Sequence, residues 1–207
     1  YSVSSEESYG SDNWAFKVFR FRKNITIDAT KVTSDLTNFP VLIELHDTDL
    51  HSIEKAQADG DDIIFVDSSN TKLSHEIEFF ESSDGEIVVW VKVNSLSSSV
   101  DTKIWMYYGN SACSSQEDIE NTWDSNYVMV QHLNESSGTL YDSSSNNNDG
   151  TNNGAVFNSS SKIDGAYDFD GSNSHIDVGT FDVVGDGLTM SVWFNADVFT
   201  STVSGDR

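Results

Sequence analysis

The stretch HEIEFFESSDGEIVVWVKV, residues 75–93, decides the fold of this chain. In its second half, every other residue from Ile87 to Val93 is apolar, so these side chains share one face of an extended chain. Its first half alternates glutamates with apolar residues, and Asp84-Gly85 between the two halves is a turn signal. A period of two over this length predicts two half-buried antiparallel strands joined by a tight turn.

Similar alternation, or a short apolar run, recurs along the chain between turns rich in Gly, Asn, Asp and Ser. Besides 75–81 and 86–93, strands are predicted over residues 21–28, 39–45, 61–67, 101–110, 127–133, 154–158, 165–171, 174–180 and 187–196. Only residues 49–59 and 115–121 favour helix, and each is short. The sequence therefore predicts an all-β fold.

A polar connector near residue 121 interrupts this rhythm and predicts a domain boundary. We predict a flexible lead-in over residues 1–13, a first β-sandwich-type domain over 14–112, a linker over 113–122 and a second β domain over 123–207.

The charge of the chain excludes some classes of partner. The chain has 34 acidic and 11 basic residues, a net charge of −23, which repels nucleic acid and anionic membrane surfaces. No apolar run approaches the ~18 residues of a membrane span, so no membrane insertion is expected within this segment. Cys113 is the single cysteine, which excludes an internal disulfide and a thiolate zinc site.

Three motifs occur in order in the second region: DSSSNNNDG (142–150), GAYDFDG (165–171) and LTMSVW (188–193). This ordered trio resembles the start of a LamG-like jelly roll of the concanavalin A type. Such a domain needs more residues than 123–207 supply, so we expect two jelly-roll-like sandwiches in tandem, the second only partly present. Either the sequence is a fragment, or another chain supplies the missing strands.

The segments FRKNITID (21–28), DGDDIIFVD (59–67) and LSHEIEFFE (73–81) also carry a resemblance. The first region is similar to a β-rich domain of unknown function that occurs in surface and secreted proteins of archaea and bacteria, often just upstream of a LamG-like module. The likeness covers about residues 14–112. It implies that this protein is extracellular or lies at the cell surface.

The loop YDSSSNNNDG, residues 141–150, is rich in the oxygen donors that calcium prefers. The resemblance implies a calcium ion held by Asp142, Asn148 and Asp170, and Asp149 is a further candidate ligand. Asn and Asp side chains also bind their own backbone in Asx turns, which would explain the same composition without an ion. Both interpretations stay open at this point.

The segment EIEFFE, residues 76–81, has the carboxylate spacing of a glucanase signature, with a glutamate at the middle position. It lies in the first region rather than in the jelly-roll-like one. Strict alternation also turns Glu81 away from Glu76 and Glu78, unless a β-bulge changes its direction. A solvated strand face is the favoured interpretation, and we expect the protein not to be an enzyme.

Aromatic side chains can stack on sugar rings, and Trp193 and Trp123 are the candidate ligand-binding residues. Large aromatic residues also close the core of a sandwich, so a core position stays open for both. Three Asn-x-Ser/Thr triplets make Asn24, Asn134 and Asn158 candidate glycosylation sites.

These observations favour a non-enzymatic extracellular module for adhesion or glycan binding, stabilised by calcium, whose partner is a glycan or a cell-surface protein. The alternative is a structural subunit of an extracellular filament or envelope layer, which self-associates through exposed strand edges by strand complementation. A more distant alternative is an accessory domain of a glycoside hydrolase.

Overall fold

The structure of the protein is a computed structural model that describes residues 1–3, 7–8, 18–51, 55–183 and 185–196. Parts of the predicted lead-in, the start of the first predicted domain and the end of the second lie outside the described residues. Within the lead-in, β1 (Ser2–Val3) and β2 (Glu7–Ser8) both pair with β3 (Phe21–Ile27).

The other strands of the first region form two antiparallel sheets. They are β4 (Leu36–His46), β5 (Ile64–Asp67), β6 (Lys72–Leu73), β7 (His75–Glu81), β8 (Glu86–Leu96) and β9 (Thr102–Tyr108). The first sheet has the order β1-β3-β9-β5-β6, with β2 also on β3, and the second has the order β4-β8-β7. Short 3-10 turns follow β3 and β4, at Ala29–Lys31 and Thr48–Leu50.

The two sheets pack face to face around one apolar core. Ile25 and Ile104 enter it from the first sheet, Ile43 and Val89 enter it from the second, and all four are 0% exposed. Burial of side chains of this size contributes roughly 1.5–3 kcal/mol each. The first region is therefore a β-sandwich, and the all-β prediction is confirmed.

The hairpin of β7 and β8 contains a β-bulge. Ile77 pairs with Val89, but Phe79 pairs with Val88, so Glu78 is an extra residue in β7. Before the bulge, the even-numbered residues of β7 point away from the core; beyond it, the odd-numbered residues do. Glu81 therefore lies on the same outer face as Glu76, which is the exception that the sequence left open.

The second region is built from shorter elements. The helix α1 (Ile119–Thr122) precedes β10 (Thr139–Leu140), β11 (Gly150–Asn153), β12 (Val156–Asn158), β13 (Ala166–Asp168) and β14 (His175–Asp177). The sheet order is β10-β11-β14, and β12 and β13 form a hairpin. Leu140, Ala155 and Tyr167 form a small buried core.

Residues 127–133 do not form the strand that the sequence predicted. Their backbone is bonded to side chains of the 141–150 loop instead of to a neighbouring strand. The N–H of Val130 donates to Asp142 Oδ1 over 2.8 Å, and the side-chain amide of Asn148 donates to the carbonyl of Val128 over 2.8 Å. Polar side chains thus occupy the positions where a paired strand would lie.

Residues 187–196 do not form their predicted strand either. Alternating apolar residues make a strand only where a second strand supplies hydrogen bonds, and no strand of the described residues pairs with this segment. Its apolar side chains are consequently exposed; they include Leu188, Met190, Val192, Trp193 and Phe194.

The two predicted helices are shorter than expected. The 49–59 prediction corresponds in part to the 3-10 turn at Thr48–Leu50, and residues 52–54 lie outside the described range. The 115–121 prediction corresponds to α1, which starts later, at Ile119. In the described parts of the chain, no helix is both long enough and apolar enough to cross a membrane.

The turn before β8 gives a test of this architecture. Gly85 has φ +80°, and an added Cβ would overlap the backbone carbonyl of Asp47. Gly138 has a similar φ of +88°, but a Cβ there would meet nothing within 4 Å. We expect Gly138→Ala to lower the free energy of unfolding by about 1 kcal/mol, the cost of a left-handed backbone alone.

Gly85→Ala should cost about 3 kcal/mol or more, because the backbone of two turns must move apart. Urea denaturation of both variants measures the difference. Equal costs at the two glycines would show that the turn does not pack on Asp47 as described.

Candidate functional site

The outer face of the second sheet is the surface on which the second region lies. Outward-pointing positions of a strand normally carry polar residues, but here aromatic and apolar side chains alternate with glutamates. The residues are Leu42 and Glu44 of β4, Glu76, Glu78 and Phe79 of β7, and Glu86, Val88 and Trp90 of β8. The second region covers one half of this face, and the other half forms the floor of a groove.

The covered half contains a buried ion-pair cluster, which we name the His132 cluster. The imidazole of His132 lies between two carboxylates: its Nε2 is 3.2 Å from Glu76 Oε1, and its Nδ1 is 3.2 Å from Glu78 Oε1. The side chains of His132, Glu76 and Glu78 are 12%, 7% and 10% exposed. The Nε2 contact lacks the alignment of a hydrogen bond, so charge attraction dominates it.

Two indoles and a hydroxyl complete the His132 cluster. Trp123 Nε1 donates to Glu76 Oε2 over 2.6 Å, and Ser143 Oγ donates to Glu76 Oε1 over 2.5 Å. Trp90 Nε1 donates to Glu78 Oε2 over 2.7 Å. Buried carboxylates are stable only when their oxygens have such partners, and here the partners come from both regions of the chain.

The electrostatics of the His132 cluster follow from this geometry. Burial by itself lowers the pKa of His132, but the contacts with Glu76 and Glu78 outweigh it and raise the pKa to about 10. Burial raises the pKa of Glu78, but His132 and the Trp90 indole outweigh that effect and hold the pKa below its usual range. The raised pKa keeps the His132 imidazole protonated at neutral pH, where it lies between the two glutamates.

The uncovered half of the face is the floor of a groove with a cavity volume of about 290 Å³. Leu42, Glu44, Phe79, Glu86 and Val88 form the floor, and the walls are Ser159, Ser161, Lys162, Ile163, Asp164 and Trp193. The Trp193 side chain is 76% exposed. The groove therefore combines an open aromatic surface with carboxylates, which is a lining suited to a polar ligand with apolar faces.

The 141–150 loop is held together by Asp142. Its Oδ1 accepts from the N–H groups of Val130 and Ser144, and its Oδ2 accepts from the N–H of Asn148 and the hydroxyl of Ser144, all within 2.9 Å. Asp149 Oδ1 accepts from the N–H of Asp142. These bonds are the Asx-type arrangement that the sequence left open beside calcium.

Asp170 forms a separate turn. Its Oδ1 accepts from the N–H groups of Ser172, Asn173 and Ser174, and these bonds lower its pKa well below the usual range. Among the described residues, no group of three or more His, Cys, Asp or Glu side chains is placed to hold a metal ion. The calcium site over Asp142, Asn148, Asp149 and Asp170 stays a prediction.

The two candidate tryptophans have different positions. Trp123 is 5% exposed and packs against Trp90, with ring centroids 5.1 Å apart, so it is part of the structure that holds the His132 cluster. Trp193 lies on the groove. The sequence named Trp193 as a candidate, and its ligand binding stays a prediction. No sequence signal pointed to Glu44, Glu86 and the floor around them, because their meeting depends on the pairing of β4 with β8.

The three candidate glycosylation sites are all partly exposed. Asn24 Oδ1 accepts from the hydroxyl of Thr26, and the side-chain amides of Asn134 and Asn158 donate to Asp164 and Asp168. Their modification stays a prediction.

The His132 cluster predicts how stability depends on pH. The pKa of His132 is about 10 in the folded protein against an ordinary 6.5, so its contribution is complete below pH 6.5 and is lost as the pH rises toward 10. We expect His132→Gln to lower the free energy of unfolding by about 3 kcal/mol near neutral pH, because two buried carboxylates lose their counter-charge. The difference from the unmodified protein should shrink steadily as the pH rises to 10.

Urea denaturation over a series of pH values measures this difference. The control is His46→Gln, because the His46 side chain is 68% exposed, and it should change the unfolding free energy by less than about 0.5 kcal/mol at each pH. A cost of His132→Gln that does not vary with pH would contradict the assignment of His132 as a buried cation.

Comparison with known proteins gives one family. Residues 59–158 match the model of a family described as a domain of unknown function (DUF2341). No curated protein and no solved structure matches the chain. The match runs from the turn before β5 to the end of β12, so it crosses the boundary predicted near residue 121 and includes the His132 cluster. Residues 59–158 are therefore similar to this family, and in the structure their regular elements are mostly β-strands.

Proposed function

We propose that this chain is a non-enzymatic extracellular surface module that binds glycans in adhesion. The observation that carries the proposal is the groove beside Trp193, where an exposed indole and three carboxylates line a cavity of about 290 Å³. The resemblance of the second region to LamG-like jelly rolls supports the same class of function, as does the likeness of the first region to domains of surface proteins.

The chemistry of the groove suits a saccharide. A sugar ring has apolar C–H faces, which stack on aromatic surfaces, and hydroxyl groups at its edge, which donate to carboxylates. Trp193 and Phe79 offer the aromatic surfaces, and Glu44, Glu86 and Asp164 offer acceptors. The volume is close to the lower end of the roughly 300–1,000 Å³ range of ligand pockets, which corresponds to one sugar unit of a longer chain.

The burial of Glu76 and Glu78 and their pairing with His132 support glycan binding rather than glycan hydrolysis. A glycosidase needs two carboxyl groups on either side of an open sugar site. Here both side chains are buried, and an imidazolium lies between them. Glu81 shares their face but is exposed and accepts the N–H of Ser83.

Glycan-array binding of variants tests this proposal. Trp193→Ala should lower affinity for the recognised glycan about tenfold or more, because the ring loses its stacking surface. The matched control is Met190→Ala: Met190 lies three residues earlier, is 83% exposed and does not line the groove. Affinity unchanged in both variants, or no binding to any glycan, would overturn the proposal.

A second candidate function rests on the exposed segment 187–196. Its alternating apolar residues have no partner strand in the described residues, and such a segment can add to the sheet edge of another chain. The filament or envelope-layer role is therefore kept as the alternative. The same two variants distinguish the roles, since a loss of self-association in both Met190→Ala and Trp193→Ala would favour the structural role.

We also propose that the 141–150 loop binds a calcium ion. If Asp142 and its neighbours bind the ion, the melting temperature should rise with millimolar calcium and fall with a chelator, because the ion binds only the folded protein. Magnesium at equal concentration is the control, since it demands a stricter octahedral geometry than calcium and keeps several water ligands. An unchanged melting temperature with calcium would mean that Asp142 only accepts hydrogen bonds within the protein and binds no ion.

A further inference from the structure

We propose that the groove selects saccharides that carry a protonated amine, such as oligomers of glucosamine. The inference rests on the proposed glycan-binding function and assigns the substrate class within it. It concerns the part of the groove between Glu44, Glu86 and Trp193.

The lining of the groove carries more negative than positive charge. Three carboxylates line the groove, those of Glu44, Glu86 and Asp164, whereas Lys162 is the one cation among its described lining residues. A neutral sugar would leave these charges uncompensated, and an anionic sugar would be repelled. A ligand with a positive charge brings the lining toward balance.

The strand register brings two glutamates of the floor close together. Glu44 pairs with Val88, and Glu86 lies two residues from Val88 on the same strand, so the two glutamates are diagonal neighbours on one face. Diagonal positions of an antiparallel pair are about 7–8 Å apart, which leaves room for an ammonium group between the carboxylates. His46 lies opposite Glu86 in the register, but its Nε2 is 3.8 Å from Asp84.

The covered half of the same face compensates its carboxylates differently. There the acidic side chains of Glu76 and Glu78 receive a cation from the chain itself, His132. In the groove, glutamates on the same face stay partly or fully open to solvent. An external cation can occupy the place that the imidazolium takes in the covered half.

The aromatic wall gives the cation a second contact. An ammonium group near the face of an indole gains a cation–π interaction of about 0.5–1 kcal/mol at an exposed site. Trp193 lines the groove together with the carboxylates, so one amino sugar can stack on the indole and place its amine near Glu86. A saccharide satisfies both walls, whereas an inorganic cation satisfies the carboxylates alone.

General attraction must be separated from this specific site, because a net charge of −23 attracts any polycation. Glu86→Gln removes one carboxylate from the groove. Glu81→Gln is the matched control, because it removes the same charge from the same sheet. Glu81 pairs directly with Glu86 but does not line the groove. Both variants thus have the same net charge.

The experiment is calorimetric titration with glucosamine oligomers and with their N-acetylated counterparts of equal length, in a mildly acidic buffer that keeps the amines protonated. The unmodified protein should bind the amine form about tenfold more tightly. Glu86→Gln should reduce that preference about fivefold, Glu81→Gln should leave it unchanged, and Trp193→Ala should weaken binding of both oligomers.

Other results would contradict the amine selectivity, the site or the saccharide class separately. Equal binding of the two oligomers, with loss in Trp193→Ala, would overturn the amine selectivity but keep the glycan function. Equal reductions in Glu86→Gln and Glu81→Gln would show general charge attraction and overturn the site. Equal competition by a lysine oligomer would overturn the saccharide class, and no binding of either sugar oligomer would overturn the inference.

Discussion

The register of β7 on β8 shifts by one residue between Ile77 and Phe79, and the surface chemistry of the protein depends on this bulge. In a strand without the bulge, Glu78 would still share the outer face with Glu76, but Phe79 would point into the core. With it, the Glu78 carboxylate accepts from Trp90 on the outer face, and Phe79 joins the floor of the groove on that same face. The bulge thus brings an aromatic side chain into the groove, on the same face as the carboxylates of the His132 cluster.

The His132 cluster explains how a second region built from two- to four-residue strands keeps a fixed place on the sandwich. Its own core is small, but His132 and Ser143 each bind a glutamate of β7. Breaking a buried pair leaves an uncompensated charge at a cost of about 3–5 kcal/mol, so these contacts penalise other placements strongly. The connector that precedes the second region, residues 113–122, also covers part of the edge of β7, since the N–H of Asp118 donates to the carbonyl of His75.

Sequence alternation was sufficient for the sandwich, because the apolar period of β8 reports directly which side is buried. The sequence pattern failed at residues 127–133, which begin with a short apolar run but whose backbone hydrogen bonds come from Asp142 and the asparagines of the 141–150 loop. No local pattern encodes that substitution of side chains for a strand. The pairing of His132 with Glu76 could not be predicted either, since it joins residues far apart in sequence. The exposure of Trp193 was not predicted, since a core position stayed open for it.

The outer face of the second sheet is therefore one acidic surface whose carboxylates are compensated by the chain at one end and open to a ligand at the other. At the Trp90 end, the carboxylates are withdrawn from water, and the chain supplies His132 and two indole N–H groups to compensate them. At the Glu86 end, no described side chain other than Lys162 brings a positive charge into the groove. Because both ends share the same strands, the difference lies in what covers them. A surface that needs a cation when it is covered by protein is suited to receive one when it is covered by a ligand.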